Sequence, residues 1–422
     1  MNKVLAPVAA LLISVSILLA GQGLQGTLLP VRASLEQFPT LAIGAMGATY
    51  FLGFTIGCLK GGELVGRVGH VRVFLAMTAI ASASPLLHVL LISPTSWGVL
   101  RFMTGFCFAV LYIVIESWLN ERADNTNRGV IFSTYSMITL TVLAAGQMMM
   151  LLYVPTGFEL FIIASVLVSL GAVPIALSTS PSPAQPQTAS INIARLYQIS
   201  PSGTVGCLVS GLANGAFWAL APVFASKVGN DVSLAAWFMT SAVLGGAIAQ
   251  WPLGLLSDRI GRRKVLVGVS LAGCFAGLAL YVLGNSLLFS TANLLALIWG
   301  AFAFPLYAIS VAYTNDYAEP HEYIMVSSGL LLMYGLGATI GPFVASFAMT
   351  QSNPGGMYAF AALMHLALVL FVAARFMRSR SVAEQHIAFS DALSSAQTAS
   401  QVYEEELQVY EEELLQKSES DD

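Results

Sequence analysis

The sequence predicts an all-α membrane protein with twelve transmembrane helices in two six-helix parallel repeats and an acidic C-terminal tail. Three observations predict it. Of the 422 residues, 56% are hydrophobic and 9% charged, whereas about a quarter are charged in soluble domains. The apolar residues also form runs of about 20, the length of a membrane-spanning helix. Finally, the second half of the chain repeats motifs of the first half.

The apolar runs place the spans and divide the chain. We number twelve expected spans, at residues 4–29, 40–62, 72–92, 97–119, 129–151, 157–178, 203–225, 231–254, 265–284, 287–312, 323–348 and 354–376. The expected domains are an N-terminal bundle (1–178), a cytoplasmic linker (179–202), a C-terminal bundle (203–378) and an acidic cytoplasmic tail (379–422). The linker is rich in Pro, Ser and Gln, and we expect a short interfacial helix at 191–199.

One charged stretch separates spans 8 and 9. Its pattern is G-x-x-x-D-R-x-G-R-R-K, and its functional positions are Gly254, Asp258, Arg259, Gly261 and Arg262. So many charges cannot lie in hydrocarbon, and the basic excess predicts a cytoplasmic loop. The pattern resembles the loop signature of the major facilitator superfamily, which implies a fold of two six-helix bundles around a central cavity.

The same pattern occurs 192 residues earlier in weaker form. Gly62, Arg67 and Gly69 align with Gly254, Arg259 and Gly261, while Gly66 stands where the second copy has Asp258. Further along, the offset becomes 195, which aligns the pairs Gly105 and Gly300, Tyr112 and Tyr307, and Gly146 and Gly341. The chain is therefore an internal duplication in which both copies keep one orientation.

The distribution of basic residues predicts the orientation. With both termini cytoplasmic, the inner side holds fifteen of the 18 Lys and Arg residues and the outer loops hold two. We expect a multi-pass protein of the inner (plasma) membrane, in contact with lipid and monomeric. Residues 381–422 hold eleven of the 22 acidic residues and one base. This tail is either a disordered acidic segment or a docking helix for a protein partner.

Two charged residues are expected within span 4. Burying Arg101 in hydrocarbon costs on the order of 3 kcal/mol or more, so we expect it to serve function or to extend to the outer surface. Arg101-x-x-x-Gly105 resembles a motif of proton-coupled members of the superfamily, although Thr104 replaces the usual Gln. Glu116 falls on the same helix face, about 22 Å further along. It is a candidate proton carrier together with Arg101, or else a helix-end acid paired with Arg122 or Arg128.

Amides and aromatic residues in spans 1, 4, 7 and 10 are the candidate substrate contacts, because these spans line the cavity in the resembled family. Amides in hydrocarbon need partners, so they either bond across the bundle or line a wet cavity. The expected substrate-binding residues are Gln22, Gln25, Arg101, Tyr112, Asn214, Trp218, Trp299 and Tyr307.

The charged loops and two helix positions are the candidate gates. By the resemblance, Asp258 contacts the start of span 5 near Arg128 and Gly129, where the partial positive charge of a helix start favours an acid. The first copy lacks this acid, so its contact with span 11 near His321 and Glu322 is expected to be weaker. The expected gating residues are Gly62, Arg67, Gly69, Arg128, Gly254, Asp258, Arg259, Gly261, Arg262, Gly341 and Pro342.

The predicted function is secondary transport of a small solute by alternating access, proton-coupled and directed outward. No G-x-x-x-x-G-K-[ST] motif for ATP occurs, and we expect no enzyme activity, cofactor, metal or nucleic-acid partner. The string from Glu116 to Glu121, followed by Arg128 and Gly129, resembles the YcaD-like bacterial branch of the superfamily. The alternative is a transporter-like membrane sensor that signals through its tail.

Overall fold

Helices account for the transmembrane architecture, as the sequence predicts. The computed structural model describes residues 8–122, 128–177, 192–229, 231–284, 288–319 and 322–378. Within these ranges, twelve helices are long and apolar enough to cross a membrane. Hydrocarbon offers no partner for backbone N–H and C=O groups, so an apolar segment of this length satisfies them by forming a helix.

The helices match the expected spans one for one. Spans 1 to 6 are Ala9–Leu35, Thr40–Val68, His70–Leu90, Pro94–Arg122, Arg128–Met148 and Glu159–Leu170, the last continued by Val173–Ala176. Spans 7 to 12 are Pro201–Gly229, Val232–Ile260, Arg262–Leu283, Phe289–Ala303 with Pro305–Asn315, Tyr323–Gln351 and Gly356–Arg378. Span 10 is interrupted because Pro305 lacks the N–H that would continue the first helix.

The charged stretch at 254–264 is not a loop, which corrects the sequence-based expectation. Span 8 continues to Ile260, and Arg262 already belongs to span 9. A single residue, Gly261, makes the turn with φ of 95°, and Gly69 makes the matching turn with φ of 94°. Side chains other than that of glycine are strained at such angles. The duplicated motif therefore encodes the same turn in both halves. Below, the turn side means the side of Gly69 and Gly261, and the far side is the opposite one.

Duplicated glycines explain how the helices pair. Span 1 packs on span 5 as span 7 packs on span 11, and spans 2 and 4 pair as spans 8 and 10 do. In each pair, both helices carry a glycine at which an added Cβ would collide with the facing backbone. These glycines are Gly23 with Gly146, Gly53 with Gly105, Gly215 with Gly341, and Gly245 with Gly300. The two halves thus repeat their internal packing residue for residue.

The hydrophobic core is shared on one side of the molecule and divided on the other. One cluster joins the halves toward the far side and includes Trp97, Phe161, Phe224 and Trp299. Toward the turn side each half has clusters of its own, around Trp118 in the first half and around Leu266 and Val326 in the second. The halves are therefore held together by apolar packing chiefly on the far side.

The segment between the halves contributes a short helix, Ile193–Ile199. Asn192 caps it by accepting a hydrogen bond from the Arg195 N–H at 3.0 Å. Leu196 is fully buried in the cluster that contains Tyr323 and Val326 of the second half. This linker helix is anchored to span 11 and is not a free interfacial helix.

Candidate functional site

A cavity of about 540 Å³ lies between the two halves. Spans 1, 2, 4 and 5 of the first half and spans 7 and 11 of the second supply its walls. It extends to Gly62 and Ser328, close to the turn-side ends of spans 2 and 11. The predicted site residues that line it are Gln22, Gln25, Arg101, Tyr112, Glu116 and Trp218, together with Gly62 of the predicted gate.

A chain of polar contacts crosses the first-half wall of the cavity. The Tyr112 hydroxyl donates to Oε1 of Gln22 at 2.9 Å, and Nε2 of Gln22 donates to the Tyr50 hydroxyl at 3.0 Å. The guanidinium carbon of Arg101 lies 4.1 Å from the centroid of the Tyr50 ring, which is a cation–π arrangement. Three spans are thereby tied together, and the face of Tyr50 is held against Arg101.

The two intramembrane charges lie in this cavity, where the described residues offer neither of them a counterion. Neither Arg101 nor Glu116 forms an ion pair with another residue in the described ranges. Arg101 is half-buried in the lining and does not project into lipid. Charges within a membrane are expensive, so Arg101 and Glu116 stay the candidate coupling residues.

Gln25 presents an unsatisfied amide to the same cavity. The residue is only 2% exposed, and neither Nε2 nor Oε1 has a hydrogen-bond partner among the described residues. An unpaired buried amide costs on the order of 1–3 kcal/mol. Gln22, one turn away, is engaged with Tyr50 and Tyr112, whereas the Gln25 amide is closed off from water and meets a solute only when its side chain rotates.

Three predicted substrate contacts of the second half lie behind the lining. Asn214 is buried and donates to Ser210 Oγ at 3.3 Å. Trp299 is fully buried and stacks on Phe217 with centroids 4.8 Å apart. Tyr307 packs edge-on against Tyr334 at 4.9 Å. Their role as substrate contacts stays a prediction, and within the cavity the second half presents other side chains.

Trp218 and Tyr334 are the aromatic residues with which the second half faces the cavity. Trp218 stacks on Phe304 at 5.6 Å with an interplanar angle of 15°, which fixes its ring. Tyr334 and, in the first half, Tyr50 and Gln147 line the cavity without having been singled out by the sequence. Only weak signals pointed to them: Tyr334 precedes Gly335, and Gln147 follows the duplicated Gly146.

Contacts between the halves close the cavity toward the far side. Thr240 donates to Oε1 of Gln147 at 3.3 Å, which links span 8 to span 5. Span 2 packs closely on span 11, where a Cβ on Gly44 would collide with Ser346 and the backbone of Pro342. The predicted gate residues Gly341 and Pro342 are thus both tightly packed. Gly341 packs against Leu212, and Pro342 packs against span 2.

The charged residues of the turn side form networks within each half. Arg262 is buried between Asp316, 2.6 Å from its Nε, and Asp258, 3.0 Å from its Nη1. In the first half Arg67 pairs with Glu63 at the surface. Gly254 is buried and Arg259 is exposed. The side chains of Arg128 and Gly129 lie outside the described residues, so the contact of Asp258 with span 5 stays a prediction.

The linker helix contacts the start of span 11. Nε of Arg195 lies 2.7 Å from Oε1 of Glu322, and this hydrogen bond raises the pKa of Arg195 above its usual value. The sequence predicts a weak contact of the first half near His321 and Glu322. His321 lies outside the described residues, and the carboxylate of Glu322 is held by the linker.

Comparisons with known proteins agree with this architecture. The model of the Major Facilitator Superfamily matches residues 203–407. An uncharacterized MFS-type transporter of Enterobacter sp. (strain 638) is 26% identical over 86% of this chain and 95% of its own. The MFS-type transporter YcaD of Salmonella newport (strain SL254) is 27% identical over 83% and 90%.

Solved structures share the fold at low sequence identity. A mutant of the nucleoside transporter NupG superposes with a TM-score of 0.76 at 14% identity, covering 87% of this chain and 99% of its own. A bacterial homolog of the human lysosomal transporter Spinster, in an inward-facing and unoccupied conformation, gives 0.68 at 15% identity, covering 94% and 97%. The predicted resemblance to YcaD-like proteins is confirmed, and a sensor function gains no support from these proteins.

Proposed function

We propose that this chain is a membrane transporter of the major facilitator superfamily and that it couples solute movement to protons by alternating access. The observation that carries the proposal is that Arg101 and Glu116 lie on one face of span 4 and in one cavity, with no counterion among the described residues. A carboxyl group in a water-accessible cavity of a membrane protein can take up and release a proton as the cavity changes sides.

The arrangement of the halves supports an inward-open state. The far-side cluster and the Gln147–Thr240 contact hold the halves together, whereas the turn-side clusters are separate. By the excess of basic residues on the turn side, we assign that side to the cytoplasm and the protein to the inner (plasma) membrane. Rocking of the halves about the cavity would then expose Arg101 and Glu116 to the outside.

Two further features belong to the proposal. We assign the direction as export because the second half keeps the complete G-x-x-x-D-R-x-G-R-R-K motif, a feature of many exporters in the resembled family. We also propose that the protein acts as a monomer and that its acidic tail, which lies outside the described residues, is a site for a protein partner.

Flux in proteoliposomes tests the proposal. Candidate solutes are first found by thermal-shift screening of the purified protein and are then assayed with and without a pH gradient, with a pH-sensitive dye inside the vesicles. Proton movement that depends on the solute is expected in the parent protein and should be lost in Glu116→Gln. Glu159→Gln is the matched control, because Glu159 lies in a span but outside the cavity lining. Full proton-coupled flux in Glu116→Gln would remove Glu116 as the carrier.

A further inference from the structure

We infer that the substrate is an organic monoanion with a planar apolar body, whose carboxylate binds Arg101 and Gln25. This inference rests on the proposed function and assigns the class of solute that the cavity takes.

Arg101 has no counterion among the described residues. A guanidinium presents several N–H donors in one plane and binds carboxylates through two parallel hydrogen bonds. Here its contact is the face of Tyr50, which leaves the N–H edge available to a ligand. The network of Tyr112, Gln22 and Tyr50 contains no acid, so the residues around Arg101 position it without neutralising it.

Gln25 supplies an orphaned amide. This residue lines the cavity, is only 2% exposed and has both polar atoms unpaired among the described residues. Its Nε2 is closed off from solvent, so it donates to an anionic oxygen when the side chain rotates toward the ligand. A carboxylate would remove the energetic cost of both residues at once, which a neutral apolar solute could not do.

The number of charges in the cavity sets the charge of the ligand. Among the described residues, Arg101 is the only basic side chain in the lining. One guanidinium balances a single negative charge, whereas a dianionic phosphate would keep an uncompensated charge in a low-dielectric site. Glu116 lies about 22 Å along span 4 from Arg101, too far for the opposite end of a small zwitterion to reach. The ligand whose charge matches this site is therefore a monoanion.

The two walls of the cavity differ in chemistry. The charged lining residues come from the first half, whereas the second half presents mainly Trp218, Tyr334 and leucines, with Ser328 at its turn-side end. The Trp218 ring is held rigid by its stack on Phe304, and rigid aromatic faces favour flat apolar ligands. The anion thus binds one half and the planar body contacts the other, so a single solute bridges both moving parts.

Binding measurements on the purified full-length protein test this inference. The probes are 2-naphthoate, its neutral amide, the corresponding naphthylmethylamine and naphthyl phosphate, measured by calorimetry and thermal shift. Naphthoate is expected to bind most tightly. Arg101→Gln should weaken it at least about tenfold, since it removes hydrogen bonds to a charged group. Arg101→Lys keeps the charge but not the planar donor edge, so its affinity for naphthoate should lie between those of the parent and Arg101→Gln.

Control variants separate folding from recognition. Lys227→Gln removes an exposed base outside the lining and should bind naphthoate as the parent does. Trp218→Leu should weaken the binding of naphthoate and of its amide to the same extent, so the preference for the acid should remain. Four results would each overturn the inference. The parent protein binds the acid and the amide equally, it binds the phosphate more tightly than the acid, it does not bind the acid, or both Arg101 variants bind the acid as the parent does.

Flux distinguishes this inference from the proposed function. If naphthoate binds through Arg101 but is not carried into proteoliposomes, the assignment of the anion site stands and the proposed transport fails. If a neutral or cationic solute is carried with proton coupling and Arg101→Gln leaves that flux unchanged, transport stands and the anion site is wrong.

Discussion

The Tyr112 hydroxyl donates a hydrogen bond to Gln22 at 2.9 Å although the two residues are 90 positions apart in sequence. Because the other end of the same amide donates to Tyr50, Gln22 is held at both ends. The Tyr50 ring is in turn the surface on which Arg101 lies. The position of the one cation in the cavity lining is thus set by spans 1, 2 and 4 together.

Removal of the Gln22 amide should therefore weaken substrate binding at a distance. In Gln22→Leu the Tyr50 ring loses its anchor, and we expect about a tenfold loss in affinity for an anionic ligand, equal to about 1.4 kcal/mol. Calorimetry measures this affinity directly, and the KM of flux reports it in the membrane. Gln250→Leu is the matched control, since this glutamine also lies in a span but outside the cavity lining. Unchanged affinity in Gln22→Leu would contradict the positioning role.

Loss of the Gln147–Thr240 contact should favour opening of the far side. Thr240→Val keeps the shape of the side chain but removes the donor. One neutral hydrogen bond contributes about 1 kcal/mol, so the open population should rise about fivefold.

Distances between spin labels at Leu35 and Gln351, near the far-side ends of spans 1 and 11, report this change. Thr339→Val serves as the control, because its hydroxyl bonds within its own helix to Gly335. The prediction fails if both valine variants give the distance distribution of the parent.

Substitution of a duplicated glycine should destabilise the bundle. A Cβ on Gly146 would collide with the backbone of Ala20 in span 1, so Gly146→Leu forces spans 1 and 5 apart at a cost of about 1–3 kcal/mol or more. A lower Tm in detergent is the expected result. At Gly268, by contrast, an added Cβ meets no atom within 4 Å. Gly268→Ala should leave the Tm unchanged or raise it, and equal losses in both variants would refute the packing argument.

The two acids that bind Arg262, Asp316 and Asp258, should differ in their contribution to the stability of the protein. The side chains of Arg262 and Asp316 are each 2% exposed, whereas that of Asp258 is 31% exposed. Asp316→Asn leaves a buried cation poorly compensated and should cost about 3 kcal/mol of stability, visible as a lower Tm. Asp258→Asn should change the Tm little.

Asp258→Asn is nevertheless expected to alter the balance between inward- and outward-open states, since Asp258 is the predicted latch onto span 5. The same pair of spin labels measures that balance. A large drop in Tm in Asp258→Asn with an unchanged distance distribution would show that the residue is structural and not part of a gate.

The span pattern was predictable because hydrocarbon admits few backbone solutions. Apolar runs of about 20 residues become helices, and the offsets of 192 and 195 between glycines reappear as identical helix pairs and identical turns. The turns were harder to predict. Charges at 254–264 suggested a loop, yet helix ends in the head-group region tolerate charge, and one glycine suffices to reverse the chain.

The candidate site was only partly predictable. Periodicity along span 4 placed Arg101, Tyr112 and Glu116 on one face, and all three line the cavity. In span 10 the family resemblance and the duplication selected Trp299 and Tyr307, which lie behind Phe217 and Tyr334. Helical periodicity identifies residues that share a face but not the neighbour which that face meets.

By itself, the sequence determined that the chain crosses a membrane as two copies of one helical unit, because hydrophobic length and duplicated glycines are local properties of the chain. Only the tertiary structure decided which polar groups remain unpaired. Gln22 and Gln25 are one turn apart and chemically identical, yet Tyr50 and Tyr112 satisfy the first and nothing in the described residues satisfies the second. That difference depends on side chains brought from other spans, and it directs the cavity toward an anionic ligand.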